Sequence, residues 1–207
     1  MSADPNAPRR VALVADASSY VGPALATLLA ERGHDLVLGD APDDADHIRL
    51  ETVGRFLDSS LDDLQTVVRG CVEAPYHFLR AVVPVMVAQQ SGQVLVITSA
   101  SAARPTPGAP LYSSARAAAT MLARNVAAEV AATGVQVNAV GTNFMDFPEF
   151  RRATGADDPA RRAKIEAQVP MGRLGTMEEF ASFCMPYLDG TSRFTTGQFV
   201  AYAGGWA

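Results

Sequence analysis

Residues 11–40, VALVADASSYVGPALATLLAERGHDLVLGD, decide the fold. VALVAD (11–16) is a short apolar run rich in valine, the composition of a strand buried in a parallel sheet. The loop ASSYVG follows. PALATLLAERG (23–33) reads as a helix, with Pro23 near its first turn and Gly33 at its end. DLVLGD (35–40) reads as a second strand. A strand, a helix and a strand in this order form the unit of a parallel sheet with a right-handed crossover.

The alternation continues downstream. Residues 61–89 carry helical periodicity, from Leu61, Leu64, Val67 and Val68 to Leu79, Val82 and Val83. GQVLVITSAS (92–101) is a third strand running into a small-residue loop, and 113–132 form a helix. VQVNAV (135–140) is a further strand, 146–168 a polar helical stretch, MEEFASFCMPYL (177–188) a helix, and GQFVAYAGG (197–205) the closing strand. The class is α/β, with one doubly wound parallel sheet. There is no internal repeat, low-complexity tract or linker, so 11–207 reads as a single domain. The opening MSADPNAPRR (1–10) reads as a flexible N-terminal tail without the apolar core of a signal peptide.

The composition narrows the partners. The chain has 207 residues, 48% hydrophobic and 19% charged, with net charge −5 and a pI near 5.1. That balance argues against nucleic acid or an anionic membrane. No uninterrupted apolar run is long enough for a bilayer. The two cysteines, Cys71 and Cys184, show neither metal-ligand spacing nor a disulfide framework. No metal is expected, and a reducing cytoplasm fits.

Parallel sheets bind ligands beyond the carboxyl ends of their strands. Loops 15–22, 98–111 and 141–150 converge there. In a dinucleotide fold the first loop carries glycines that let a pyrophosphate approach the backbone. Here only Gly22 is present. Tyr20 places a phenol where a small residue is needed, and Asp16 adds negative charge. This points to loss of the nucleotide, hence to no cofactor. Asp40 points the other way, lying roughly 20 residues past the glycine turn as a ribose-binding carboxylate does; it reads equally as an exposed strand-end aspartate.

The second and third loops hold a trio. Tyr112 and Arg116 are i and i+4 on one helix face, and Ser99 ends the adjacent strand. A guanidinium near a phenol favours phenolate. A phenol so tuned can act as a general base toward an alcohol, with a serine hydroxyl holding the alcohol oxygen. Arginine stays protonated and serves as a fixed field. Taken singly, each residue is bland: a surface tyrosine, a surface arginine, a turn serine.

With these residues in place, the chain resembles the short-chain dehydrogenase/reductase superfamily over nearly all its length. More closely, it resembles the cofactor-free halohydrin (haloalcohol) dehalogenases. Ser99, Tyr112 and Arg116 match that family's Ser, twelve residues, Tyr, three residues, Arg without a gap. Tyr20 and Gly22 match its aromatic and glycine in place of the nucleotide loop, while Ala15 stands at its threonine position. VPMGRLGTMEEFA and the tail YLDGTSRFTTGQFVAYAGGWA look like the superfamily without separating its branches.

The resemblance implies a Rossmann-like fold and a lyase that closes vicinal haloalcohols to epoxides with release of halide and a proton. In reverse, small anions open epoxides. Tyr112 would be the base, Arg116 would lower its pKa, and Ser99 would orient the substrate oxygen. The halide nest would lie at Asn143, Phe144 and Met145, with Tyr20 as a wall. Ser101, Thr106, Ala109 and Leu111 would line the alcohol side. Trp206 could also reach a pocket, although a lone C-terminal tryptophan is more often packing. The two long helices would pack between subunits of a homodimer or homotetramer. The alternatives are an NAD(P)-dependent short-chain oxidoreductase with an aberrant loop, and a catalytically silent oligomeric relative.

One departure is large. The superfamily places a third and a fourth strand between DLVLGD and the helix at 61, and no apolar run in 41–60 supplies them. Either the first strand pairs directly with 92–98, or a stretch near residues 40–50 is absent. The second is favoured, because deleting a central strand exposes two apolar edges.

Overall fold

The computed structural model describes residues 10–39 and 54–207. Most of the N-terminal tail and Asp40 lie outside the described residues. The first three elements are strand β1 (Val11–Val14), helix α1 (Gly22–Glu31) and strand β2 (Asp35–Leu38). Then come α2 (Leu61–Val68), a π-turn at Arg69–Glu73, and α3 (Ala74–Ala88), which follow one another as a single helical run. β3 (Gly92–Ser99), α4 (Pro110–Val130) and β4 (Val135–Thr142) follow. The chain ends with α5 (Pro148–Thr154), α6 (Pro159–Glu166), α7 (Met177–Cys184) and β5 (Phe199–Tyr202).

Local chemistry sets the boundaries. Ser60 and Asp63 form a capping box at α2, and Thr176 and Glu179 form one at α7. Pro23 and Pro110 sit in the first turns of α1 and α4, where a missing N–H costs nothing.

All strand pairs are parallel. β3 pairs β4 from Gly92↔Val135 to Ser99↔Thr142, and β4 pairs β5 from Ala139↔Phe199 to Thr142↔Tyr202. Strand side chains alternate between faces, and the two faces build two cores. Val94, Val96, Val135, Val137 and Ala139 pack with Leu79 and Val83 of α3 and with Ala123 and Ala127 of α4. On the other face Leu95, Ile97 and Val140 meet Leu25 and Leu29 of α1 and Phe180 of α7. Helices on both faces of parallel strands are the doubly wound α/β arrangement the sequence implies.

Among the described residues the sheet is not continuous. β1 and β2 form a separate two-stranded sheet, from Val11↔Asp35 to Val14↔Leu38. The expected alternatives resolve against direct pairing: β1 does not join β3. Both sheets share the α1–α7 layer, onto which Ala12 and Val14 pack. The opposite face of β1 is open, with Val11 67% and Leu13 45% exposed. Arg10 Nη2 donates to Gln93 Oε1 at 3.0 Å, tying the residue before β1 to the foot of β3.

By length and composition, the 28-residue helix Leu61–Ala88 is apolar enough to cross a bilayer, an 18-residue window in it having a mean hydropathy of 1.2. Arg69, Glu73 and Arg80 interrupt it, so it is not the uninterrupted apolar run whose absence the sequence shows. Its buried residues Val67, Cys71, Leu79 and Val83 pack instead on α4 and the sheet.

The divided sheet makes a prediction. Leu13→Ala should cost less than ~1 kcal/mol, while Phe180→Ala, at a fully buried side chain, should cost about 3–5 kcal/mol in urea unfolding. A loss above about 2 kcal/mol for Leu13→Ala would mean that β1 is covered on both faces.

Candidate active site

α4 reaches the strand ends because its inner face is small. Ala115, Ala119, Ala123 and Ala127 are buried at four-residue spacing, so the helix axis approaches β3 and β4 closely. Thr120 fixes the register: its Oγ1 donates to the Arg116 carbonyl at 2.9 Å and lies 3.2 Å from Thr98 Oγ1. Arg116 is thereby set beside the carboxyl end of β3, its Nη1 3.5 Å from the Ile97 carbonyl, and Tyr112 stands one turn earlier on the same helix, packed against Val67, Cys71 and Ala115.

Ser99 is 6% exposed. Its Oγ accepts from the Ser101 N–H at 3.2 Å and the Ser101 hydroxyl at 2.9 Å, and donates weakly to the Thr142 carbonyl at 3.4 Å. Ser101 is thus spent on Ser99. The Arg116 guanidinium carbon lies 5.1 Å from the centroid of the Tyr112 ring, a cation–π distance. Burial lowers the pKa of Arg116, but Tyr112, Cys71 and Tyr20 nearby, with a hydrogen bond to Tyr112, bring it above the ordinary value. Its Nη1 reaches the Ile97 carbonyl only at 3.5 Å, and its Nε is buried without a partner.

Tyr20 enters from the first loop with a left-handed φ of 48°. Its ring meets Phe147 edge-on at 4.8 Å and Phe180 at 6.1 Å, and its hydroxyl donates to Thr142 Oγ1 at 2.7 Å. Burial pushes the Tyr20 pKa up against the Thr142 hydrogen bond, so it stays a neutral donor. Gly22 has a structural reason here: a Cβ would sit 2.1 Å from the Asp16 carbonyl oxygen. In the same loop the Asp16 carboxylate accepts from Ser19, and its other oxygen is buried without a partner.

The third loop is stiff. Asn143 Oδ1 accepts from the Phe144 N–H at 2.9 Å, and Phe144 has a φ of 56°. Asp146 binds Arg151 at 2.8 Å and Arg162 at 2.7 Å. Burial raises the Asp146 pKa, but the two arginines outweigh it and hold the carboxyl below its usual range. Asn143, Phe144 and Met145 line a cavity of about 270 Å³ with Val169, Met171 and Tyr202. Tyr20, Ser99, Tyr112 and Arg116 are not among its lining residues. The expected halide group is joined in part: the loop residues line one cavity, and Tyr20, outside that lining, packs against the core cluster that contains Met145. A larger hollow of about 360 Å³ lies on the outer side of α2 by Leu64, Arg69 and Glu73, away from this chemistry.

The expected alcohol-side residues are dispersed. Ala109 is buried at the start of α4. Leu111 packs with Val67, Cys71 and Ala115, against the long helix. Thr106 Oγ1 donates to the Arg104 carbonyl at 3.3 Å. Arg104 lies 4.7 Å over the Trp206 ring and donates to the Trp206 carbonyl at 2.7 Å, while Phe144 meets Trp206 edge-on at 5.7 Å. Sequence reasoning missed Thr142, which holds both Tyr20 and Ser99. Its signal is its place opposite Ser99 in the strand register. Among the described residues there is no group of three or more His, Cys, Asp or Glu able to hold a metal ion.

The family model described as enoyl-(acyl carrier protein) reductase matches residues 47–207. The cis-4-hydroxycyclohexanecarboxylate dehydrogenase of Sinomonas cyclohexanicum is 30% identical over 95% of this chain and 96% of its own. That alignment runs over 245 residues against a chain of 207, so the dehydrogenase has residues without a counterpart here. Other relatives at 31% and 32% identity are spanned over only 64% and 47% of their lengths. A solved dehalogenation enzyme superposes with a TM-score of 0.85 at 22% identity, covering 96% of this chain and 98% of its own. A halohydrin dehalogenase bound to ethyl (2S)-oxiran-2-ylacetate gives 0.81 at 22% identity, covering 94% and 96%. A solved NADPH-dependent reductase, and a gluconate 5-dehydrogenase in complex with NADP and tartrate, superpose about as well, with TM-scores of 0.84 and 0.82. At these identities the structural likeness shows the fold alone.

The Tyr20–Thr142 bond can be tested by a cycle. Thr142→Val leaves a buried phenol without its acceptor and should cost about 1–3 kcal/mol in urea unfolding. Adding Tyr20→Phe should recover most of that loss. A Thr142→Val loss under about 0.5 kcal/mol would mean that the bond does not hold the ring.

Proposed function

Because this chain belongs to the short-chain dehydrogenase/reductase superfamily, we propose that it runs the cofactor-independent chemistry of that superfamily: closure of vicinal haloalcohols to epoxides, with the reverse opening by small anions. The observation that supports this best is the half-buried Tyr20 ring, held by Thr142 and Phe147 at the strand ends. It stands where the first loop of a nucleotide-binding relative would receive its cofactor, and Asp16 places a carboxylate in the same loop.

In this reading Tyr112 removes the hydroxyl proton while Ser99 holds the oxygen. Arg116 supplies a fixed positive charge over the phenol face. The alkoxide attacks the neighbouring carbon from behind, a C–O bond forms, the carbon–halogen bond breaks with its electron pair, and halide leaves. The step is intramolecular, so enforced geometry lowers its barrier. The proton on Tyr112 passes to solvent. The loop Asn143, Phe144 and Met145 receives the halide, for which the Phe144 N–H must leave Asn143 Oδ1 and the Asn143 N–H must leave the Tyr202 carbonyl. Exposed apolar residues on the long helix and α4, including Leu61, Tyr76, Val85 and Met121, support a dimer or tetramer.

A second reading has its own support: the matched family model and the dehydrogenase relative are oxidoreductases. It requires nicotinamide nucleotide binding. The divided sheet favours a silent relative, which requires neither activity.

The test is halide release from a simple chloro- or bromo-alcohol without nicotinamide, followed as halide and acid. Tyr112→Phe should lower the rate by at least ~10²-fold, and the protein should show no saturable NAD(H) or NADP(H) binding. Nucleotide binding without halide release would replace this reading with the oxidoreductase.

A further inference from the structure

The helical run Leu61–Ala88 contains one irregularity, and it lies against the base. Its buried residues Val67, Cys71, Leu79 and Val83 are spaced in multiples of four. In a straight α-helix each four-residue step rotates the face by about 40°, so Val67 and Val83 would diverge by about 160°. The π-turn at Arg69–Glu73 adds a residue to one turn and rewinds the face by about 100°, which returns these residues to one side. The sequence supplies the cause: Pro75 has no N–H to offer the Cys71 carbonyl four residues earlier.

The turn delivers Cys71 to a particular place. The residue is fully buried and packs with Ala115, Leu111 and Tyr112 on α4. Burial raises the thiol's pKa and Arg116 lowers it, with burial prevailing, so Cys71 is a neutral thiol within reach of the guanidinium charge. The groups that this charge senses are Tyr112 on its own helix, Cys71 on the π-turn and Tyr20 on the first loop. None of the three is a carboxylate. A buried guanidinium normally takes a carboxylate partner, yet here Nε is buried without one.

We propose that Cys71 is a positioning residue for the base: the π-turn seats it against Tyr112 and Arg116 as a neutral wall, which leaves the guanidinium charge directed at the Tyr112 phenol. The inference rests on the proposed role of Tyr112 as the base. A carboxylate at this position would capture Arg116 and withdraw that charge, and a smaller side chain would let the guanidinium swing away from the ring.

The test uses the full chain with Cys71→Asp, Cys71→Ala and Cys71→Ser, checked for fold by circular dichroism. In Cys71→Asp the acid limb of the pH profile for halide release should move alkaline by about one unit or more, with kcat at neutral pH down about tenfold and KM little changed. The phenolate absorbance titration, taken as wild type minus Tyr112→Phe, should move with it. Cys71→Ala should lower kcat several-fold at unchanged KM, and Cys71→Ser should restore it. A folded Cys71→Asp chain whose phenolate titration coincides with wild type overturns the proposal. If that variant does not fold, equal kcat in Cys71→Ala and wild type overturns it. If the wild type releases no halide, the dehalogenase reading fails, and the phenolate titration still decides the positioning role.

Discussion

The close seating of α4 on β3 and β4 is the constraint on which the rest depends. A helix with leucines on its inner face would stand off the sheet, and Tyr112 and Arg116 would miss the end of β3. Four alanines at four-residue spacing remove that bulk, and Thr120 locks the helix lengthwise through Thr98. One packing choice therefore fixes how the helix that bears Tyr112 and Arg116 lies against the strand that ends at Ser99.

The arrangement has an electrostatic cost. Burying a guanidinium without a carboxylate forgoes the usual compensation for desolvation. The structure offers weak acceptors and polarizable surfaces instead: the Tyr112 ring, the Cys71 thiol and a distant carbonyl at Ile97. A carboxylate partner would stabilise the charge better and would also neutralise its field. The chain has taken the less stable arrangement beside Tyr112, the residue proposed as the base, and such compromises are common at functional sites.

The sequence made the strands and long helices legible because their signals are local: valine-rich runs, proline at helix starts, glycine at helix ends. The trio was legible because its spacing is short and its elements are regular. What was not legible depends on tertiary placement. Leu111 and Ala109 read as pocket residues, but helix α4 turns them toward the long helix and the core. Ser101 read as a substrate contact, but the short turn after β3 folds its hydroxyl back onto Ser99. The halide group read as one nest, but Tyr20 is bound to Thr142 and packs near Met145 without lining the cavity that residues 143–145 share. The π-turn was hidden because an irregular helix and a straight one share the same apolar spacing until the drift of the face is followed over several turns.

The divided sheet bears unequally on the two halves of the site. Ser99, Thr142, Tyr112 and Arg116 all stand on β3, β4 and α4, which pair and pack without reference to β1. Tyr20 alone comes from the other sheet, and it is held to the first half by Thr142, Phe147 and Phe180. Among the described residues the shared α1–α7 layer fixes the β1–α1 unit without a hydrogen-bonded strand between β1 and β3. Tyr112, the proposed base, depends only on β3, β4 and α4 and keeps its setting where these sheets are separate. Tyr20 keeps its place only through side-chain packing and one hydrogen bond, so in this fold the proposed base is secured more firmly than the aromatic ring of the first loop.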